Sequence, residues 1–181
     1  MFGLMGVAPE LSPWFFGNNF VGIEKLIIIS SLIILAISWS NVLGMQLLVP
    51  LNKTKEFTIS VTSGAIINFI LNLVLIKKFG AIGSCISTII AEFTVTLVQF
   101  YLIKDFIKAK ELIKPVVLFI PASIVMYIFV RIIGDFKGAG ILTNIVQGMV
   151  GVISYFIIIE GLYRILKKQS IITYMKGLME Y

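Results

Sequence analysis

Long apolar blocks separated by short charged stretches organise this chain. Residues 26–52 carry no charge between Lys25 and Lys53, residues 57–76 none between Glu56 and Lys77, and residues 138–159 none beyond Lys137. In residues 79–103 the only ionisable group of a strongly charged type is Glu92, and the block at 115–133 is the shortest and opens on Pro115. A helix rises about 1.5 Å per residue, so about 20 apolar residues cross a hydrocarbon core about 30 Å thick. The pattern predicts an all-α, polytopic membrane bundle with five spanning helices at 26–49, 57–76, 79–103, 115–133 and 138–166. Pro50 closes the first, and Pro115 stands at a helix start, where its missing N–H costs nothing.

The amino end reads differently. A secretory signal needs a cationic start, and the first charge here is Glu10. Residues 2–8 read as the last two turns of a preceding membrane helix cut off by Pro9, with Pro13 and Gly17 in a compact external turn that completes residues 1–25. An interfacial apolar arm is the other reading. A chain opening in mid-helix is expected to be a late start within a longer coding region.

Composition sharpens the class. With 59% apolar and 13% charged residues and a mean hydropathy of +1.04, the chain has too little polar surface for a soluble domain. The net charge of +6 therefore does not indicate nucleic-acid binding. Its Lys and Arg lie in the connections and report topology instead. One side of the five predicted spans collects ten: Lys53, Lys55, Lys104, Lys108, Lys110, Lys114, Arg164, Lys167, Lys168 and Lys176. The other collects five: Lys25, Lys77, Lys78, Arg131 and Lys137. The bias puts the carboxyl end, including a basic tail at 167–181, in the cytoplasm and residues 1–25 outside. No histidine is present and Cys85 is the single cysteine, so an internal disulfide is excluded and no metal, nucleotide or organic cofactor is suggested.

Three segments carry a resemblance. Residues 6–20, GVAPELSPWFFGNNF, precede an apolar helix bearing WSNVLGMQLLVP at 39–50, and residues 52–93 contain a Phe-Gly-Ala-Ile-Gly link between two apolar stretches. In this order and spacing they resemble the carboxyl half of Wzx-type capsule and O-antigen repeat-unit flippases, polysaccharide transporters of the multidrug and oligosaccharidyl-lipid exporter superfamily. The likeness covers residues 1–103; beyond, the helices agree in number and position only. It implies two helical lobes that rock about a central cavity in the bacterial cytoplasmic membrane, with both termini cytoplasmic. It also implies a cargo, an oligosaccharide on undecaprenyl pyrophosphate, moved to the outer leaflet without ATP hydrolysis. This chain would then supply part of one lobe, with membrane lipid and the missing amino-terminal lobe as partners, and would be inactive alone.

Polar residues inside the predicted spans are the site candidates. Glu92 lies near mid-span, with Thr88 and Thr96 four residues either side and Gln99 at seven, on one stripe of its helix. A carboxyl there faces a cavity or a partner. It either lines a substrate cavity, touching sugars or taking up a coupling proton or ion, or hydrogen-bonds a neighbouring helix in neutral form. Asn68 and Asn72, one turn apart, act as interhelical glue or meet sugar hydroxyls. The same two readings hold for Asn41 and Gln46, which lie close to Ser38 and Met45. Lys53 and Lys55 at the cytoplasmic mouth either meet a pyrophosphate headgroup or serve only as topology signals. Glu160 and Arg164 are a helix-stabilising pair, Gly148 and Gly151 allow close helix approach, and Trp14 suits the outer interface whereas Trp39 packs mid-span.

Two other functions compete. A membrane-embedded enzyme of polysaccharide assembly needs an acid and base, or an Arg and Asp cluster, on a sizeable aqueous loop, and the longest internal connection here is only 104–114. A noncatalytic membrane subunit would complete a partner instead. An in-frame or frameshifted upstream continuation encoding more helices would separate a transporter fragment from a subunit.

Overall fold

The computed structural model describes residues 1–17, 19–104, 106 and 116–167, and every regular element among them is helical. The chain divides into two compact units.

The first unit begins with α2 (Ile23–Ser40), which runs into a π-helical stretch, Asn41–Leu48. The wider winding is seen where the Val49 N–H donates to Gly44 O at 3.0 Å and the Lys53 N–H to Leu48 O at 2.9 Å, five residues back in each case. After Pro50 the chain turns through Asn52 at φ 58°, a conformation asparagine accepts better than bulkier residues. It then enters the long helix Thr54–Ile103, broken at Gly80 (φ 57°, ψ −131°), where the absence of a Cβ permits the backbone angle. We denote residues 54–79 α3 and 81–103 α4. The arms fold back on each other: the Gln99 side chain bonds Ser60 at 3.2 Å, and a Cβ on Gly64 would lie 2.3 Å from Val95 Cγ2. Leu43, Leu48 and Ile103 form the buried core against Phe57 and Phe100, and Trp39 packs on Phe100 with ring centroids 5.5 Å apart.

The second unit comprises α1 (Phe2–Phe16), α5 (Phe119–Lys137) and α6 (Ile141–Lys167). Gly138 at φ 71° ends α5, its N–H returning to Gly134 O at 2.8 Å. Ala122, Ile159 and Tyr163 pack between α5 and α6.

Four helices are long and apolar enough to cross a membrane: Ile23–Leu48, Thr54–Ile103, Phe119–Lys137 and Ile141–Ile165. Only 11 to 17% of the most apolar window of each is buried, so the greasy side chains face outward, the reverse of a water-soluble fold. The predicted spans at 57–76 and 79–103 correspond to the two arms joined at Gly80. The expected helix start at Pro115, most of the 104–114 connection and the tail from 168 onward lie outside the described residues.

The amino end departs from expectation. Pro9 does not terminate α1, which continues through Pro9 and Pro13 to Phe16. Proline removes one backbone bond and crowds the preceding turn, and side chains of α5 and α6 hold that turn from outside. Here Arg131 Nη1 donates to Gly6 O and Asn144 Nδ2 to Val7 O, each at 3.4 Å. Instead of an external turn, residues 9–16 extend a helix that packs on α5 and α6.

Candidate functional site

In the first unit a cleft of about 300 Å³ opens among α2, α3 and α4, lined by Ser40, Val61, Gly64, Asn68, Glu92 and Val95, among others. Gly64 shapes it by letting α4 approach α3 at Val95. Glu92 is half-buried there, near the middle of its arm, and among the described residues its carboxylate has no hydrogen-bond or ion-pair partner.

The other members of the anticipated stripe are engaged in packing. The Thr96 hydroxyl reaches Ala36 O on α2 and Glu92 O on its own helix, both at 3.0 Å. Thr88 bonds back to Ser84 O at 3.0 Å. Gln99 is fully buried, donates to Ser60 Oγ at 3.2 Å and rests its amide against Gly44 of the π-helix. Among the described residues its Oε1 has no partner. Asn72 donates to Asn68 Oδ1 at 2.9 Å, leaving its own buried Oδ1 unpaired. The structure thus brings Glu92 and Asn68 to one cleft, with Asn72 one turn along, and turns Thr96 and Gln99 into helix contacts. Asn41 and Gln46 are exposed on the π-helix and do not line this cleft. Lys53 pairs with Glu56 at 3.1 Å and lies over the Phe106 ring at 4.4 Å, whereas Lys55 is exposed.

The second unit holds a polar cluster that local sequence reading missed. Glu10, on α1, is 6% exposed. Arg131 Nη1 on α5 meets both its oxygens, at 3.0 and 3.1 Å, and Gln147 Nε2 on α6 donates to Oε2 at 2.9 Å. Behind Gln147 stands Asn144, whose Nδ2 donates to Gln147 Oε1 at 2.8 Å and whose Oδ1 accepts from Trp14 Nε1. The two amides relay donors in one sense, from Trp14 through Asn144 and Gln147 to Glu10. Arg131 Nη2 also holds Asp135, which is largely exposed. Gly134 makes room for the carboxylate: a Cβ there would lie 2.4 Å from Glu10 Cδ. The available signal was Arg131 inside an apolar block, with Asn144 and Gln147 on one face of the next. Counting charges as flanks concealed it.

Other expectations resolve individually. Arg164 and Glu160 pair at 2.8 Å. Gly151 meets Val130 closely, but Gly148 faces open space. Among the described residues no group of three or more Cys, Asp or Glu side chains converges to hold a metal ion.

The fold defines the class: an all-helical protein whose apolar helices have membrane-crossing length and outward-facing apolar surfaces. No family model, curated protein or solved structure matches the chain.

Proposed function

We propose that this chain is the carboxyl-terminal part of a two-lobed transporter that flips undecaprenyl-pyrophosphate-linked oligosaccharide repeat units for capsule or O-antigen synthesis, in the bacterial cytoplasmic membrane. The observation that carries the reading is Glu92, a carboxylate with no partner among the described residues, in a half-polar cleft near mid-span beside Asn68 and Ser40. A carboxylate at that depth is expensive unless it serves a pathway. Acceptors and amides suit hydroxyl-rich sugars or a coupling cation, and the absence of a lysine or arginine from the cleft lining disfavours it as the pyrophosphate seat. Lys53 and Lys55 are the headgroup candidates, with Lys53 already sharing its charge with Glu56.

On this reading α3 and α4 each cross the membrane, giving five crossings in all, with α1 external at its Phe16 end and the carboxyl end cytoplasmic as the Lys and Arg bias requires. Thr96 and Gln99 tie α4 to α2 and α3 beside the cleft, and Asn41 and Gln46 are exposed on the π-helix, open to a second lobe. The resemblance of residues 1–103 to the flippase carboxyl half supplies the cargo.

The test is restoration of surface polysaccharide in a host lacking its own repeat-unit flippase. The chain should restore it only when co-expressed with an amino-terminal lobe, and Glu92→Gln should then reduce polysaccharide per inserted protein at least tenfold, with Glu92→Asp retaining part of it. Restoration by the chain alone would overturn the partial-lobe reading, and equal output from Glu92→Gln would remove the cleft from the mechanism.

A further inference from the structure

Glu10, Arg131 and Gln147 stand at one depth. Each is six positions from an end of its helix, at Phe16, Lys137 and Ile141 respectively. At about 1.5 Å per residue that is roughly 9 Å in from those ends, below Trp14, Asn144 and Asp135. Three hydrogen bonds to a single carboxylate therefore come from two helices, α5 and α6, while the carboxylate itself belongs to a third.

The hairpin of α5 and α6 lacks what it needs to be complete. Of the four membrane-length helices α5 has the lowest hydropathy, 1.7 against 1.8 to 2.3, and it carries Arg131, Asp135 and Lys137 toward its end. Its only acid near Arg131 is Asp135, which is exposed and engages the other guanidinium nitrogen. With Glu10's place empty, the inward-facing guanidinium nitrogen would lose its acid and Arg131 would keep the exposed Asp135 alone, which a membrane tolerates poorly.

Shape specifies what fills that place. A Cβ on Gly6 would lie 2.8 Å from Val130 Cγ1, and one on Gly134 would invade the Glu10 carboxylate. The occupant must therefore present a glycine and, one turn later, an acid, which α1 does at Gly6 and Glu10. Close approach through small residues followed by a polar tie is a strong mode of helix association in lipid.

We infer that the α5–α6 hairpin is a receptor for an acidic membrane helix, that α1 of the same chain is its occupant, and that α5 depends on the Glu10 charge to stay in the bilayer. The chain thus carries an intramolecular partner made before α2 to α4 and used only after them. This inference needs only the membrane setting and stands apart from any cargo.

The test uses the full chain in membranes, in a Cys85→Ser background, with Gly3→Cys and Met126→Cys. These positions adjoin: a Cβ on Gly3 would lie 3.6 Å from Met126 Cε. A short bifunctional thiol reagent should link them within one chain. Glu10→Arg should lower the yield at least tenfold, and the exchange Glu10→Arg with Arg131→Glu should restore at least half of it. In a separate series, Ser30→Cys with the native Cys85, whose side chains are 3.1 Å apart, should cross-link equally in every charge variant because it lies in the other unit. Thiol labelling of Ala139→Cys from outside, with Cys85→Ser, should fall with Glu10→Arg and recover with the exchange. Undiminished linkage or labelling with Glu10→Arg, failure of the exchange, a link formed between two chains, or loss of the Ser30 control would each overturn the inference.

Discussion

Two carboxylates lie in the two units and are treated in opposite ways. Glu10 receives three hydrogen bonds from two neighbouring helices and nestles on Gly134, whereas Glu92 has an amide and a hydroxyl near its cleft and a bond from neither. The same contrast recurs in two fully buried glutamines. Gln147 uses its amide on both Glu10 and the Val130 carbonyl and accepts from Asn144; Gln99 bonds Ser60 alone and leaves its oxygen empty. A satisfied buried network fixes one arrangement, and a half-satisfied one is costly to keep and free to accept something else. The second unit is therefore built for permanence, and the first holds unspent polar capacity.

Removing the charge from each acid breaks or sharpens that contrast most. Glu10→Gln should lower the unfolding free energy in mixed micelles by about 3 kcal/mol, because Arg131 loses its buried acid and keeps only the exposed Asp135. Glu92→Gln should leave it unchanged or raise it slightly, since no partner is lost and a neutral group is easier to bury. Equal losses would show that the two sites do not differ.

The glutamines should follow with smaller effects. Gln147→Leu removes a donor to a charged group and the acceptor of Asn144, and should cost about 2–3 kcal/mol in the same unfolding measurement. Gln99→Leu forfeits one bond but also eliminates an unpaired oxygen, so the net change should stay within about 1 kcal/mol. A loss at Gln99 as large as that at Gln147 would contradict the difference in their surroundings.

The glycines test the shape behind the chemistry. Gly134→Ala forces a methyl onto the Glu10 carboxylate and should cost about 1–3 kcal/mol, as overpacking does. Gly148→Ala meets nothing within 4 Å and should be neutral or up to about 1 kcal/mol stabilising through helix propensity. Comparable melting temperatures for the two variants would argue against a carboxylate seated on Gly134.

Much of the architecture was legible in the chain itself. The apolar runs set α2, α3, α4, α5 and α6 in place because twenty or so apolar residues leave few alternatives to a membrane-length helix. The apolar runs did not show that the backbone takes angles other residues avoid at Gly80 and Gly138. The Glu160–Arg164 pair followed from spacing and residue type alone. Local pattern misled at Pro9, because the side chains that hold the turn before it, Arg131 and Asn144, are contributed from far along the chain.

Partnership was what only the tertiary structure decided. Glu10 and Arg131 are 121 positions apart and Glu10 and Gln147 are 137 apart, so no periodicity links them. Read locally, Glu10 and Arg131 were flanking charges and Glu92 was the conspicuous intramembrane acid. Packing reversed their standing by bringing α1 against the hairpin through Gly6 and Gly134, while it left Glu92 at an open cleft. The physical reason is that hydrophobicity and helix period act over a few residues, whereas the free energy of a buried charge depends on donors that folding alone brings within 3 Å or so.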